Sequence, residues 1–180
     1  SFSASNDSGY LGFDELIEKS SPDQVTLVPD NESQLTSDHG WDLAKDHNQL
    51  VVKIEKYRTS KTRVSLCLDP DVTQIKLAKE IGADRIELYT GPFAEIFQQH
   101  GSTHPSTQGL FDKYCKAATF AGELGLGVNA GHDLNLNNLR MFSELPYLSE
   151  VSIGHAIVVD ALNMGFTKTI KEYLNVLQIA

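Results

Sequence analysis

Two Gly-His pairs are the residues of this sequence best suited to do chemistry. Gly131-His132 follows the apolar segment "LGVNA", and Gly154-His155 follows "EVSI". Imidazole changes its charge near pH 7 and can therefore donate or accept protons. Glycine lets the backbone approach a ligand closely, and a helix that follows presents free N–H groups. The two pairs predict paired phosphate-binding sites at the ends of two neighbouring strands, each with a histidine.

Carboxylates also stand at predicted strand ends, and each of them has two interpretations. Glu87 alternates with Ile86 and Leu88 in "IELYTG", so its side chain points away from theirs. In a barrel that direction can be the interior, where an unpaired carboxylate is costly. Glu87 therefore belongs either to an active site or to a structural ion pair. Asp69 and Asp133 are either helix caps or parts of the site.

Five strand-like segments must position these residues, and each of them is followed by a helical pattern. They are "DQVTLVPD", "TRVSLCLD", "RIELYTG", "LGVNAGH" and "EVSIGH". Phe2–Ser5 hints at a sixth strand before a helix over Phe13–Ser20. Short apolar strands that alternate with helices indicate a parallel sheet of βα units. Because active sites lie at the carboxyl ends of such strands, the Gly-His pairs and Glu87 are expected to lie together.

The C-terminal pattern favours a barrel over an open, doubly wound sheet. A short helix over Ala156–Met164 precedes Gly165 and a second helix from Thr167 to about Leu177. An extra short helix after the last strand is typical of (β/α)₈ barrels, which use it to bind phosphate. We predict an α/β chain of the TIM (β/α)₈-barrel type that carries only strands three to eight with their helices.

Three segments receive predictions of their own within a single domain over residues 1–180. Residues 1–22 are predicted to be the third βα unit of the barrel, although their pattern matches such a unit only weakly. Residues 98–109 are rich in Gly, Pro, Ser and Thr and are predicted to form a mobile loop that closes over substrate. Asp69 is predicted to cap a helix that begins at Pro70.

Composition narrows the classes of partner. Lys and Arg number 15 against 24 Asp and Glu, which gives a net charge of −9. That balance disfavours nucleic acid and acidic membrane surfaces as partners, and no apolar run is long enough to span a membrane. Nothing at the N-terminus has the pattern of a signal peptide. No disulfide is expected, since Cys67 and Cys115 lie in segments typical of buried, reduced thiols. These features predict a cytoplasmic protein.

Five motifs in order resemble the pyridoxine 5'-phosphate synthase family of the deoxyxylulose-phosphate-dependent vitamin B6 pathway. They are "TLVPDNESQLTSDHGWD", "RVSLCLDPD", "IELYTGPFA", "AATFAGELGLGVNAGHDLNLNNL" and "VSIGHAIVVDALNMGF", from about Asp23 to the C-terminus. The resemblance implies a TIM barrel with additional helices that assembles into a homo-oligomer, an octamer. It also implies condensation of 1-deoxy-D-xylulose 5-phosphate with 3-amino-2-oxopropyl phosphate to pyridoxine 5'-phosphate, inorganic phosphate and water. No metal or organic cofactor is implied.

The resemblance also assigns roles to residues of this sequence. His132 is similar to the family's general acid, and Glu87 to the carboxylate that stabilises cationic character along the reaction path. Thr36 resembles a substrate contact from the loop after strand four. Asp133, Gly154 and His155 occupy positions that bind substrate or product, largely through backbone N–H groups at the phosphate.

The sequence departs from the family at its beginning. The family's first two βα units supply an Asn-x-Asp-His segment and further His and Arg residues, which this sequence does not contain. Ser8 in "NDSGYLG" stands where the family has a catalytic glutamate. An incomplete barrel would leave a sheet edge unpaired, so we expect the chain to associate in solution.

Two alternatives follow from these observations. The first is a non-catalytic barrel fragment that serves as an assembly or ligand-binding subunit, which the missing first units and Ser8 motivate. The second is a metal-dependent lyase or hydrolase that uses Asp69, Glu87, His132 and His155.

Overall fold

The described part of the molecule is a parallel sheet covered by helices. The computed structural model of the protein describes residues 9–31, 34–59 and 61–178. The strands are β1 (Gln24–Leu27), β2 (Arg63–Leu68), β3 (Arg85–Tyr89), β4 (Gly127–Gly131) and β5 (Leu148–Ser152). The helices are α1 (Phe13–Ser20), α2 (Leu43–Thr59), α3 (Val72–Glu80), α4 (Gly91–His100), α5 (Pro105–Glu123), α6 (Leu139–Phe142), α7 (His155–Met164) and α8 (Phe166–Gln178).

The order of the strands distinguishes between the two sheet types. Each strand pairs in parallel with the next strand along the chain, in the order β1-β2-β3-β4-β5. A doubly wound sheet must reverse its order at some point, and this one does not. With right-handed crossovers, a sequential order keeps the connecting helices on one face of the sheet. The α/β class is thus confirmed and is compatible with a TIM-like fold, while the numbering of the strands as three to eight stays a prediction.

One face of the sheet is apolar and packs against the helices. The strand register places Leu66 beside Ile86, and Ile86 beside Val128, and all three side chains are fully buried. They belong to one core cluster together with residues such as Ile54 of α2 and Tyr114 of α5. Burying each aliphatic side chain stabilises the fold by about 1.5–3 kcal/mol, so this face holds the helices on the sheet.

The other face of the sheet is polar and strongly concave. Gln24 of β1 donates to Glu150 of β5 over 3.0 Å, so side chains on the two edge strands meet. Strands lie about 4.8 Å apart, and flat edges would therefore be about 19 Å from one another, too far for this contact. Arg85 pairs with the same Glu150 carboxylate at 3.2 Å and donates to Asn129 at 2.9 Å. This polar network crosses the concave face beneath the carboxyl ends of the strands.

The prediction that Asp69 caps the helix after β2 is wrong. The residue that caps α3 is Asp71, whose side chain accepts from the backbone N–H of Thr73 at 2.7 Å. Asp69 instead accepts from the N–H of Gly40 at 3.3 Å, which ties the end of β2 to the preceding loop.

The predicted loop over residues 98–109 is wrong in its extent. Helix α4 continues to His100, and α5 begins at Pro105, so only residues 101–104 connect them. Gly101, with φ 76°, ends α4, and the side chain of His104 accepts from the N–H of Ser106 at 3.2 Å as the cap of α5. Proline at the first helical position suits that start.

Other predictions agree with the structure or fall outside it. The pair of C-terminal helices is confirmed as α7 and α8, separated by Gly165 with φ 87°. Cys67 and Cys115 are free thiols, and burial raises the pKa of Cys67. The predicted strand at 2–5 and the residue Ser8 lie outside the described residues. Among the residues that the structure describes, no helix has the length and apolar character needed to cross a membrane.

Candidate active site

A cavity of about 1500 Å³ lies at the carboxyl ends of the strands. Its lining includes every residue to which the family resemblance assigns a role, namely Thr36, Glu87, His132, Asp133, Gly154 and His155. They come from four places in the chain: the loop after β1, strand β3, the end of β4 and the start of α7. His132 and His155 therefore open into the same cavity, as the matching Gly-His pairs predict.

The backbone around His132 adopts an unusual conformation that neighbouring polar groups hold in place. His132 and Asp133 have φ angles of 96° and 56°, in a region that residues other than glycine rarely adopt. The Thr90 hydroxyl donates to the carbonyl of His132, and Asn138 donates to the carbonyl of Asp133 at 3.1 Å. Such conformations cost about 1–3 kcal/mol and persist where surrounding contacts enforce them, often at functional sites.

The imidazole of His132 is hydrogen-bonded at both ring nitrogens. Nε2 lies 2.8 Å from Oγ1 of Thr36, and Nδ1 lies 3.0 Å from Oδ2 of Asp133. The ring also packs against Tyr89, with centroids 4.9 Å apart. An ionised carboxylate only accepts hydrogen bonds, so Nδ1 carries a proton and Nε2 is the atom free to exchange one with a group beside Thr36. This arrangement suits a general acid or base that acts at the position of Thr36.

Glu87 lies at the centre of the concave face and opens into the cavity. Its Oε2 accepts from Ser152 of β5 at 2.8 Å and from Thr26 of β1 at 3.5 Å. Burial raises the pKa of Glu87, while the hydrogen bonds from Ser152 and Thr26 oppose that rise. No Lys, Arg or His within the described ranges lies within 4 Å of it as an ion-pair partner. Of the two interpretations made from the sequence, this geometry favours a site carboxylate.

The two glycines have different physical roles. A Cβ on Gly131 would lie 2.8 Å from Oε1 of Glu87 and 3.0 Å from Cβ of Ser152. Gly131 therefore makes room for the Glu87 carboxylate rather than for a ligand, which corrects the sequence interpretation. A Cβ on Gly154 would meet no atom of the described residues within 4 Å, apart from its neighbours in the chain. Space at Gly154 is thus open towards the cavity that it lines.

Only one of the two predicted phosphate-binding helix ends is present among the described residues. Gly154 precedes α7 without a side-chain cap, so the first N–H groups of α7 lack helical partners and can bind an anion. After His132, in contrast, the chain forms turns in which Asn138 Oδ1 accepts from the N–H of Asn135 at 2.8 Å. The next helix, α6, begins only at Leu139. The expectation of paired helix termini is therefore wrong.

The described lining of the cavity is acidic. Its carboxylates are Asp38, Glu87, Glu95, Asp133 and Asp160. No lysine or arginine from the described residues lines it, so His132 and His155 are its basic side chains. An anion in this cavity must therefore be bound mainly by imidazole and backbone N–H groups, or by residues beyond the described ranges.

Sequence reasoning missed the residues that support His132 and Glu87. Thr90, Tyr89 and Asn138 fix the His132 loop, and Ser152 and Thr26 bind the Glu87 carboxylate. The alternation of side chains along a strand could have placed Ser152 on the same face of the sheet as Glu150. In residues 9–31, 34–59 and 61–178, no group of three or more His, Cys, Asp or Glu is placed to hold a metal ion, and Asp69 does not line the cavity.

Comparison with known proteins identifies the family. The family model described as "Pyridoxal phosphate biosynthesis protein PdxJ" matches residues 11–179. The chain belongs to this family. Curated members similar to this chain are named pyridoxine 5'-phosphate synthase.

Three of these relatives illustrate the degree of similarity. The Porphyromonas gingivalis protein is 47% identical over 162 residues, covering 89% of this chain and 66% of the relative. The Christiangramia forsetii protein is 46% identical over 167 residues, covering 92% and 68%. The Xanthomonas campestris pv. campestris protein is 48% identical over 170 residues, covering 94% and 64%. The chain thus spans about two thirds of the length of these family members.

Proposed function

We propose that this chain carries the general-acid and phosphate-binding part of a pyridoxine 5'-phosphate synthase in vitamin B6 biosynthesis. The reaction is the condensation of 1-deoxy-D-xylulose 5-phosphate with 3-amino-2-oxopropyl phosphate, which releases inorganic phosphate and water. Family membership and the names of the relatives support this proposal. The observation that carries it is the convergence of His132, Glu87 and the start of α7 on one cavity.

In this proposal His132 acts as the general acid. An amine and a ketone must condense, and water and phosphate must then leave, so several steps require a proton at a leaving oxygen. Nε2 of His132 is directed at Thr36, which marks where the leaving group would lie. Asp133 holds the opposite nitrogen, so the ring is oriented before substrate arrives. Thr36 is then the substrate contact that exchanges its bond with His132 for one with the substrate.

Glu87 stabilises positive charge in this proposal. Condensation of an amine with a ketone passes through cationic nitrogen species, and a carboxylate beside them lowers their energy in a site that excludes water. Glu87 is half-buried and lines the cavity, which fits that task.

The phosphate would bind at Gly154, His155 and the first turn of α7. The N–H groups of that turn lack helical partners and lie at the cavity wall, and the open space at Gly154 leaves room for the phosphate oxygens. In this proposal Asp133 also binds the substrate, through its backbone N–H group.

Further residues complete the site in this proposal. Two phosphorylated substrates bring several negative charges into a cavity whose described side chains are mostly acidic. The predicted first βα units of the family's barrel would supply a base and cationic groups. A cytoplasmic location and a homo-oligomer, octameric as in the family, complete the proposal.

A non-catalytic, ligand-binding subunit is the second candidate, and one observation favours it. The described cavity lining contains imidazoles and helix N–H groups for binding but no lysine or arginine to stabilise departing phosphate. Product formation by the purified chain would eliminate this candidate.

Titration with pyridoxine 5'-phosphate, followed by calorimetry, tests the proposed function. The native chain should bind it, and Gly154→Asp should weaken binding at least about tenfold relative to Gly154→Asn. Both side chains have room and both cap helices well, but only Asp places a negative charge beside the phosphate. His47→Asn, an exposed position on α2, is the control that should leave binding unchanged. Absence of binding to folded native protein would contradict the proposal.

A further inference from the structure

The Glu87 carboxylate is held through one of its two oxygens. Ser152 and Thr26 both donate to Oε2, at 2.8 and 3.5 Å. The two donors come from β5 and β1, the opposite edges of the described sheet, whereas Glu87 lies on β3 in its middle. Their convergence depends on the strong curvature of the sheet, since neither edge strand is adjacent to β3. The contact is therefore a feature of the assembled fold and not of one local motif.

The other oxygen of Glu87, Oε1, accepts no hydrogen bond from the residues in the described ranges, and the Glu87 side chain lines the cavity. Oε1 lies close to Gly131, because a Cβ at that position would be only 2.8 Å from it. The glycine thus leaves Oε1 in a position that a larger residue would disturb.

We propose that Ser152 and Thr26 are positioning residues that keep the Glu87 carboxylate ionised and aim Oε1 at the substrate's cationic nitrogen. This inference rests on the proposed function, because it assigns a direction to the carboxylate that acts there. Both hydroxyl groups donate to Oε2. Oε1 can therefore accept hydrogen bonds from an N–H group of the substrate. The chemical class recognised is a protonated amine or iminium.

The hydroxyl groups of Ser152 and Thr26 also affect the pKa of Glu87. Burial raises the pKa of Glu87, and the nearby Glu150 adds to that rise, whereas hydrogen bonds from Ser152 and Thr26 and the proximity of His132 lower it. Loss of the Ser152 hydroxyl removes the shorter of the two bonds to Oε2, so the pKa of Glu87 should rise further. The ionised form is then lost at a higher pH than in the native protein.

The main test follows the Glu87 carboxyl itself. In protein labelled with ¹³C at glutamate carboxyl carbons, the Glu87 signal is assigned through its absence in Glu87→Gln, and its titration is followed by NMR. Ser152→Ala should move that titration to higher pH, Thr26→Val should move it less, and Ser152→Thr should restore it. Ser149→Ala is the matched control, because Ser149 is exposed on the same strand and its hydroxyl donates to the carbonyl of Tyr147, away from Glu87.

Activity provides the second readout. If the chain forms pyridoxine 5'-phosphate, Ser152→Ala should lower kcat about tenfold on the acid side of the pH profile and less than twofold at alkaline pH. A merely structural role would lower kcat equally at all pH values. A Glu87 titration that is identical in the native protein, Ser152→Ala and Thr26→Val would overturn the inference. Shifted titrations in a chain without activity would support the positioning role and refute catalysis by this chain, so the two failures are distinguishable.

Discussion

Replacement of Gly131 by alanine tests the packing around Glu87 most directly. The φ angle of Gly131 lies outside the left-handed region, so alanine meets no backbone penalty there. Its Cβ, however, would lie 2.8 Å from Oε1 of Glu87 and 3.2 Å from Cδ, where ordinary contacts begin at 3.4 Å. The carboxylate must therefore retreat by about 0.6 Å, the difference between 3.4 and 2.8 Å. That movement changes the geometry of the hydrogen bond that Glu87 accepts from Ser152.

The expected magnitude follows from known costs of overpacking. Inserting a methyl group into a fully packed interior costs about 1–3 kcal/mol, and the Glu87 carboxylate can move partly into the cavity that it lines. We therefore expect Gly131→Ala to lower the free energy of unfolding by about 1 kcal/mol, measured by urea denaturation. Gly109→Ala is the control, since a Cβ there meets no side chain of the described residues within 4 Å and alanine suits the interior of α5. That control should raise stability by about 0.5–1 kcal/mol.

A double-mutant cycle identifies the contact responsible. In a Glu87→Ala background the clash with Oε1 no longer exists, so Gly131→Ala should cost less than it does alone. A coupling of about 1 kcal/mol is expected for side chains in contact. The reasoning is refuted if Gly131→Ala unfolds with the native free energy, or if its cost is the same in both backgrounds.

Three further predictions concern other parts of the molecule. Asp71→Ala should lower stability by about 1 kcal/mol in urea denaturation, because α3 loses its cap, whereas Asp69→Ala should leave the helical cap intact. Although burial opposes the shift, hydrogen bonds from Lys53 and Tyr57 lower the pKa of Asp14 to about 2. Its contribution to stability is therefore fully present above the ordinary value near 3.8 and is lost as the pH falls towards 2, so native and Asp14→Asn proteins should converge in stability over that range. Light scattering should show association of the chain if the edge strands β1 and β5, which pair with no further described strand, pair with another chain, and a clean monomer would contradict that expectation.

The position of the site could be predicted because parallel strands deliver their carboxyl ends to one edge. The order of the strands was enough to place the two Gly-His pairs and Glu87 together, and Glu87, His132, Gly154 and His155 line one cavity. The contact of Ser152 with Glu87 could not be predicted in the same way. It joins β5 to β3 across an intervening strand, so it depends on the curvature of the sheet, which residue period alone does not report.

The errors at helix starts have a common physical origin. The segment "LDPDV" offers two acidic residues, and both have the chemistry of a cap. Asp71 caps α3 because Asp69 is already bonded to the N–H of Gly40, a contact between segments 29 residues apart. In "GSTHPSTQG" the abundance of Gly, Pro, Ser and Thr suggested a loop, yet Pro105 begins a helix whose cap is His104. Tertiary contacts and capping geometry outweighed composition at both places.

The distribution of charge constrains how the cavity can bind an anion. Arg85, which lies on the concave face, is already paired with Glu150 and bonded to Asn129 below the cavity, and it does not line the cavity wall. Its charge is therefore neutralised within the sheet and does not offset the acidic lining above. Backbone N–H groups at the start of α7 carry only partial positive charge, about half an elementary charge in total. A phosphate with two negative charges would then be only partly balanced by α7 and His155, so tight binding of two phosphorylated substrates requires cationic groups from outside the described residues. Affinity for a single phosphate should accordingly fall when salt is added.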